Sequence, residues 1–237
     1  MNKEFKFKQF KIHQDQCAMK VGTDGVLLGA WAILETNTVS ILDIGAGTGV
    51  IALMLAQRSS SELIDAIEID DDAYEQCVTN LENSPWSDRL FCYHASLEEF
   101  VDEIEDKYDL IISNPPFYSE NYKSENTKRN LARFEDAMPF KLLVGSASKL
   151  LAENGKFSVI IPFKEEINFI ALASEVNLFP SNILRVKGNP KSEIKRSLIE
   201  FSFSESDIKI DELIIETLRH QYTQDYVNLT KEFYLKM

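Results

Sequence analysis

Four consecutive residues, Asn114-Pro115-Pro116-Phe117, combine two hydrogen-bond acceptors with two positions that lack a backbone N–H. Proline fixes φ and removes the amide donor, which leaves the Pro115 carbonyl free to accept. The side-chain oxygen of Asn114 is a second acceptor. Two acceptors aimed at one –NH₂ group suit an amine conjugated to an aromatic ring, because they draw its lone pair out of the ring toward an electrophile. No strong base is needed, since the nitrogen becomes acidic once the new bond forms. Phe117 adds a flat apolar face on which a splayed-out base can stack. A merely rigid loop is the bland alternative. Asn114, Pro115 and Phe117 are therefore the candidate catalytic residues, and Asn114 is the first of them.

A second constellation precedes this one. Ile41-Leu42-Asp43-Ile44-Gly45-Ala46-Gly47-Thr48-Gly49 ends an apolar run with glycine at alternate positions and then opens a helical pattern. Such glycines permit a tight turn and a close approach of backbone to ligand at the carboxyl end of a strand, near a helix N-terminus. A dinucleotide site shows G-x-G-x-x-G, whereas this motif is D-x-G-x-G-x-G. An acidic residue there suits the ammonium of a cofactor with an amino-acid tail and repels a pyrophosphate. Glu68, about 20 residues beyond the loop, stands where a carboxylate chelates ribose hydroxyls. Asp70, Asp71 and Asp72 suit the N-terminus of the next helix.

These motifs need a frame, and the alternation of short β-branched runs with helical patterns supplies one: βαβ units around a parallel sheet. Strands are expected at 39–44, 63–69, 89–94, 108–113 and 156–162. Helices are expected at 49–58, 71–83, 97–104, 135–152 and 164–176. The runs 181–187 and 197–203 leave no room for a crossover helix and should pair as an antiparallel hairpin. An extended run at 213–216 and a helix near 224–233 follow, and Asp24-Gly25 opens an apolar helix before the sheet.

The 237 residues fit a single domain, 1–237, comprising an N-terminal extension (1–36), a core (37–203) and a C-terminal extension (204–237). No run approaches a membrane span, the N-terminus does not read as a secretory signal, and Cys17, Cys77 and Cys92 show no C-x-x-C spacing. A cytoplasmic location with structural thiols is the expectation. His13, His94 and His220 lack paired ligand spacing, so no metal is expected. The net charge of −13 argues against a nucleic-acid partner until its distribution is considered. Residues 62–109 hold sixteen acidic side chains against two basic ones, which accounts for the whole excess. Basic clusters remain at Lys3, Lys6, Lys8 and Lys11 and at Arg185, Lys187, Lys191, Lys195 and Arg196.

The Gly motif with a strand-end Glu resembles the class I, Rossmann-like fold of S-adenosylmethionine-dependent methyltransferases. Over nearly the whole chain the sequence is similar to the bacterial tRNA1(Val) adenine-37 N6-methyltransferases. The residues that carry this likeness are Phe7-Lys8-Gln9-Phe10, the stretch 17–32, 42–47, 52–58, 109–118 and the closing Phe233-Tyr234-Leu235. The resemblance implies a seven-stranded, mostly parallel sheet whose last strand pair is antiparallel, with helices on both faces. It implies S-adenosylmethionine as cofactor, held by Gly22, Thr23, Asp24, Asp43, Gly45, Gly47, Gly49, Glu68, Ser96 and Asn114. Residues 22–25 would form a loop over that cofactor, unless Thr23 and Asp24 simply cap a helix. Ser96 stands where such enzymes often carry an Asp that accepts the adenine amino group. The implied partner is the tRNA anticodon loop, bound by Phe117, Tyr118, Lys128, Arg129 and Arg133, with no stable protein partner. Methylation of guanine in ribosomal RNA, adenine in DNA or a protein glutamine remains open on the motifs alone. Phe117 in place of Tyr and a short N-terminal segment count against the glutamine reading.

Overall fold

The computed structural model describes residues 4–116 and 138–237. Phe117, Tyr118, Lys128, Arg129 and Arg133 lie outside the described residues. The chain runs β1 (Glu4–Lys6), β2 (Lys11–His13), α1 (Thr23–Trp31), β3 (Ser40–Ile44), α2 (Val50–Arg58), β4 (Leu63–Glu68), α3 (Asp71–Glu82), β5 (Leu90–His94), α4 (Leu97–Glu103) and β6 (Tyr108–Ser113). It continues with α5 (Phe140–Leu150), β7 (Leu151–Pro162), a 3-10 turn (Phe163–Glu165), α6 (Glu166–Ser174), β8 (Phe179–Lys187), β9 (Ile194–Ser202), β10 (Lys209–Ile214), β11 (Glu216–Leu218), β12 (Gln221–Tyr222) and α7 (Gln224–Thr230).

The central sheet has the order β10-β8-β9-β7-β6-β3-β4-β5. Only β9 runs against its neighbours, pairing antiparallel with both β7 and β8. Seven of these strands are the expected set. The eighth, β10, corrects the expected count: the C-terminal extension returns and lays Lys209–Ile214 parallel along β8, burying Leu213 at the edge.

Buried parallel strands must be apolar on both faces, and β3 and β6 are covered on both sides. Their side chains divide by strand alternation. Ile41, Leu110 and Ile112 face α1, α2 and the C-terminal helix, whereas Leu42, Ile44 and Ile111 face α4, α5 and α6. Two layers of core thus clamp the sheet, and the ends of β3 and β6 emerge side by side, with Ile44 opposite Ser113. The two sequence constellations start at those ends.

The N-terminal lysine cluster takes an unexpected form. Residues 4–13 make a hairpin whose Phe7, Phe10 and Ile12 are buried, and Phe7 bridges to Tyr234 while Lys8 N–H donates to Phe233 O at 2.9 Å.

Candidate active site

Between the ends of β3 and β6 lies a cleft of about 480 Å³. Its floor is the glycine loop. Gly45, Gly47 and Gly49 all have positive φ, at 72°, 56° and 76°. This conformation is unfavourable for residues with a Cβ, so the alternate spacing is a backbone requirement. The Gly45 and Ala46 N–H groups both donate to Ile67 O at 3.0 Å, which hooks the loop over β4. A Cβ built at Gly45 or Gly47 would meet nothing within 4 Å, whereas one at Gly49 would meet Cys77 Sγ at 2.9 Å and Leu81 at 3.2 Å. Two glycines therefore face open space and the third seats α2 against α3.

Glu68 and Asp43 support this loop from behind. Glu68 Oε2 accepts Gly47 N–H at 2.8 Å, and Oε1 accepts the N–H groups of Ile69 and Asp70 at 2.9 and 3.0 Å. Asp43 is fully buried, and its Oδ2 accepts Ala52 N–H from the first turn of α2 at 3.2 Å. Its Oδ1 has no hydrogen-bond partner among the described residues. Burial, with Glu68 nearby, pushes the Asp43 carboxyl up to about 7.

The cleft wall opposite the floor is Asn114, Pro115 and Pro116, and its roof is the segment before α1 together with that helix's first turn. Gly22, Thr23, Asp24 and Gly25 all line it. Gly22 caps α1 without any side-chain bond, so Thr23 is not a cap but the first helical residue. Asp24 is tied to Arg196 of β9, with Oδ2 2.8 Å from Nε. A Cβ at Gly25 would stand 3.9 Å from Asn114 Nδ2, so the helix start rests directly over the asparagine amide.

The methyltransferase small domain family matches residues 25–177. A tRNA1(Val) (adenine(37)-N6)-methyltransferase of Flavobacterium johnsoniae is 66% identical over 98% of this chain and 100% of its own length. One from Bacteroides fragilis is 45% identical over 98% of each. This chain belongs to that methyltransferase family. A crystal structure described as a predicted O-methyltransferase from Agrobacterium tumefaciens has the same fold, with TM-score 0.70, 20% identity and coverage of 89% of this chain and 96% of that one. A ribosomal protein L11 methylase from Lactobacillus delbrueckii matches at TM-score 0.53 and 15% identity, over 75% and 76% of the two chains.

Within this methyltransferase, Gly22, Thr23, Asp24, Gly45, Gly47, Asn114 and Pro115 come together on the cleft surface, while Asp43, Gly49 and Glu68 stand behind it. Ser96 is not among the lining residues. It caps α4 in a reciprocal box, its hydroxyl 2.8 Å from Glu99 Oε2 and accepting Glu99 N–H at 3.2 Å. Asp70 caps α3 by accepting Ala73 N–H at 2.8 Å, as its position in the sequence suggests.

The second basic cluster is largely committed within the fold. Arg185 binds Glu166 at 2.6 Å, Lys187 binds Glu212 at 2.8 Å and Arg196 binds Asp24. Sequence reasoning missed Met19, Lys20 and Val21, which also line the cleft. Their adjacency to Gly22 was the available signal. Burial and surrounding carboxylates push the Cys17 thiol up to about 12, so it is no nucleophile near neutral pH. Among the described residues no cluster of three His, Cys, Asp or Glu could hold a metal, and no helix is long and apolar enough to cross a membrane.

Proposed function

We propose that this methyltransferase transfers a methyl group from S-adenosylmethionine to the exocyclic N6 amine of adenine 37 in the anticodon loop of tRNA1(Val). One observation carries the reading. Asn114 and Pro115 share a single cleft with the open glycine floor, so an amine held by the first two can meet a cofactor lying on the second. The substrate class rests on the activity for which relatives that align along almost the entire chain are named.

The residues fit the cofactor on their own chemistry. The void over Gly45 and Gly47 admits a ligand against bare backbone, and the partnerless, buried Asp43 Oδ1 offers negative charge beneath a cationic tail. Glu68 stands behind the loop with both oxygens taken by backbone amides, and its remaining lone pairs are the acceptors that would hold ribose hydroxyls. S-adenosylmethionine supplies an already activated methyl on a sulfonium, so positioning is the main task left to the protein. Asn114 Oδ1 and the Pro115 carbonyl accept the two N6 hydrogens and hold the nitrogen lone pair out of the ring plane. The amine nitrogen would form its N–CH₃ bond as the sulfonium S–CH₃ bond breaks, the electron pair staying on sulfur to leave a neutral thioether, and the methylated nitrogen would then release one proton to water. We assign Phe117 to stacking on the base and Tyr118, Lys128, Arg129 and Arg133 to the surrounding RNA.

Labelled S-adenosylmethionine incubated with the protein and, separately, total tRNA, ribosomal RNA, DNA or a release factor tests the reading. Label should enter tRNA and vanish when adenine 37 of tRNA1(Val) is replaced by guanine. Label in another substrate and none in tRNA would overturn it.

A further inference from the structure

Two turns stand side by side at the carboxyl end of the sheet and take no part in the chemistry above. The first, residues 188–193, joins β8 to β9, and the second joins β11 to β12 through Arg219 and His220, the latter at φ 65°. Main-chain bonds fasten one to the other: Ile215 N–H donates to Lys187 O and Glu216 N–H to Gly188 O, both at 3.0 Å. The first turn is also braced internally, since Asn189 Oδ1 accepts Lys191 N–H and Ser192 Oγ accepts Asn189 N–H, each at 3.0 Å.

Cations here fall into two sets. Arg185, Lys187 and Arg196 are held by carboxylates within the fold. Among the described residues no carboxylate pairs with Lys191 or Arg219, and Lys195 has only the exposed Glu193 at 3.9 Å. Leu218 and Tyr222, 65% and 42% exposed, add apolar surface on the second turn. Solvated lysines are common on any surface, so position has to decide. Arg196, next in sequence to Lys195, grips Asp24 in the cleft roof, which puts the first turn near the rim of the active site. From β6, whose last residue Ser113 precedes Asn114, to β8 is three strand spacings. At about 4.8 Å each that is roughly 14 Å, the reach of about four stacked nucleotides at ~3.4 Å per phosphate.

We propose that these paired turns and the start of β9, through Lys191, Lys195 and Arg219, bind the phosphate backbone of the RNA whose base enters the cleft. The proposal rests on the RNA-methylation reading and adds a surface to it. Contacts of this kind position the RNA without reading its bases, and each one adds about 0.7–0.9 to the slope of log affinity against log salt.

The test uses the full chain, fluorescence anisotropy with tRNA1(Val) across a salt series, and steady-state methylation. In the double variant Lys191→Ala/Arg219→Ala, tRNA Kd and KM should rise about tenfold at 0.15 M salt and the salt slope should fall by about 2. Turnover at saturating tRNA and S-adenosylmethionine affinity should stay within about twofold, because neither residue touches the cleft. Lys149→Ala, an exposed lysine at the opposite end of the sheet, should behave as wild type. Wild-type Kd and salt slope in the double variant would overturn the proposal. A wild-type protein that binds tRNA through these residues but methylates none refutes the methylation reading alone. One that binds no tRNA refutes both.

Discussion

Asn114 and Asp43 illustrate what a side chain's type reveals and what only its surroundings can. Asn114 was legible because an amide followed by two prolines is a rare way to present two acceptors, and the structure places it on the cleft wall. Replacing it with Ala removes one of two aligned acceptors, and turnover should fall about 10² to 10³-fold. S-adenosylmethionine affinity should barely change, since Asp43 and Glu68 lie on the other side of the cleft. Single-turnover rates at saturating tRNA, beside calorimetric titration of the cofactor, check this; near-normal methylation would remove Asn114 from the mechanism. The sequence marks Asp43 as a strand-end carboxylate suited to an ammonium, but only the structure shows that it is buried beneath the loop. Its folded pKa of about 7 exceeds the ordinary 3.8. Between those values the unfolded chain gives up a proton that the native state keeps, so stability falls as pH rises through that window, by an amount on the order of a few kcal/mol. Asp43→Asn cannot ionise. Urea titrations of the cofactor-free protein should show the variant's stability relative to wild type improving from pH 5 to pH 8, and a pH-independent difference would count against the raised pKa.

At the scale of elements, the loop joining β3 to α2 shows how much local pattern can tell. The glycine spacing announces a turn at a strand end, and all three glycines adopt positive φ. Their separate duties were invisible, because only packing distinguishes a Cβ that would point into the cleft from one that would strike α3. Gly49→Ala should therefore unfold the protein at lower urea, by about 2 kcal/mol or more, through strain and overpacking together. Gly47→Ala should cost about 1 kcal/mol of stability from strain alone yet weaken cofactor binding more than tenfold by filling the space over the loop. Comparable stability losses in the two variants would dissolve the distinction. The Asp24–Arg196 pair was beyond reach for another reason: its members are 172 residues apart and meet only because β9 runs antiparallel beside β7. Nor does periodicity distinguish Ser96 as a helix cap from Ser96 as a ligand, since both readings want a hydroxyl at a strand-to-helix junction.

For the molecule as a whole, charge layout explains how a −13 protein can serve an RNA. The acidic stretch 62–109 builds β4, α3, β5 and α4, at one edge of the sheet, while β8 and the basic turns lie toward the other. Composition alone pointed away from a nucleic acid, and only the order of the strands separates the two signs in space. The strands themselves were largely legible from the βαβ alternation, apart from the N-terminal hairpin and most of β10, of which only a run at 213–216 was expected; their order across the sheet was not.

The clasp between that hairpin and the last residues sets a schedule for synthesis. Phe7 and Phe10 stack at 4.6 Å and Phe7 lies against Tyr234 at 5.9 Å, so Phe7 acquires its final cover only when Tyr234 has been made. At roughly 5–20 residues per second, some 10–45 s separate the emergence of one side from the other. During that interval an apolar hairpin waits, and the ribosome holds the partner it needs. A stalled nascent chain lacking residues 230–237 should be clipped by protease between Phe5 and Phe10, and the released chain should resist; equal resistance would show that the sheet alone shelters the N-terminus.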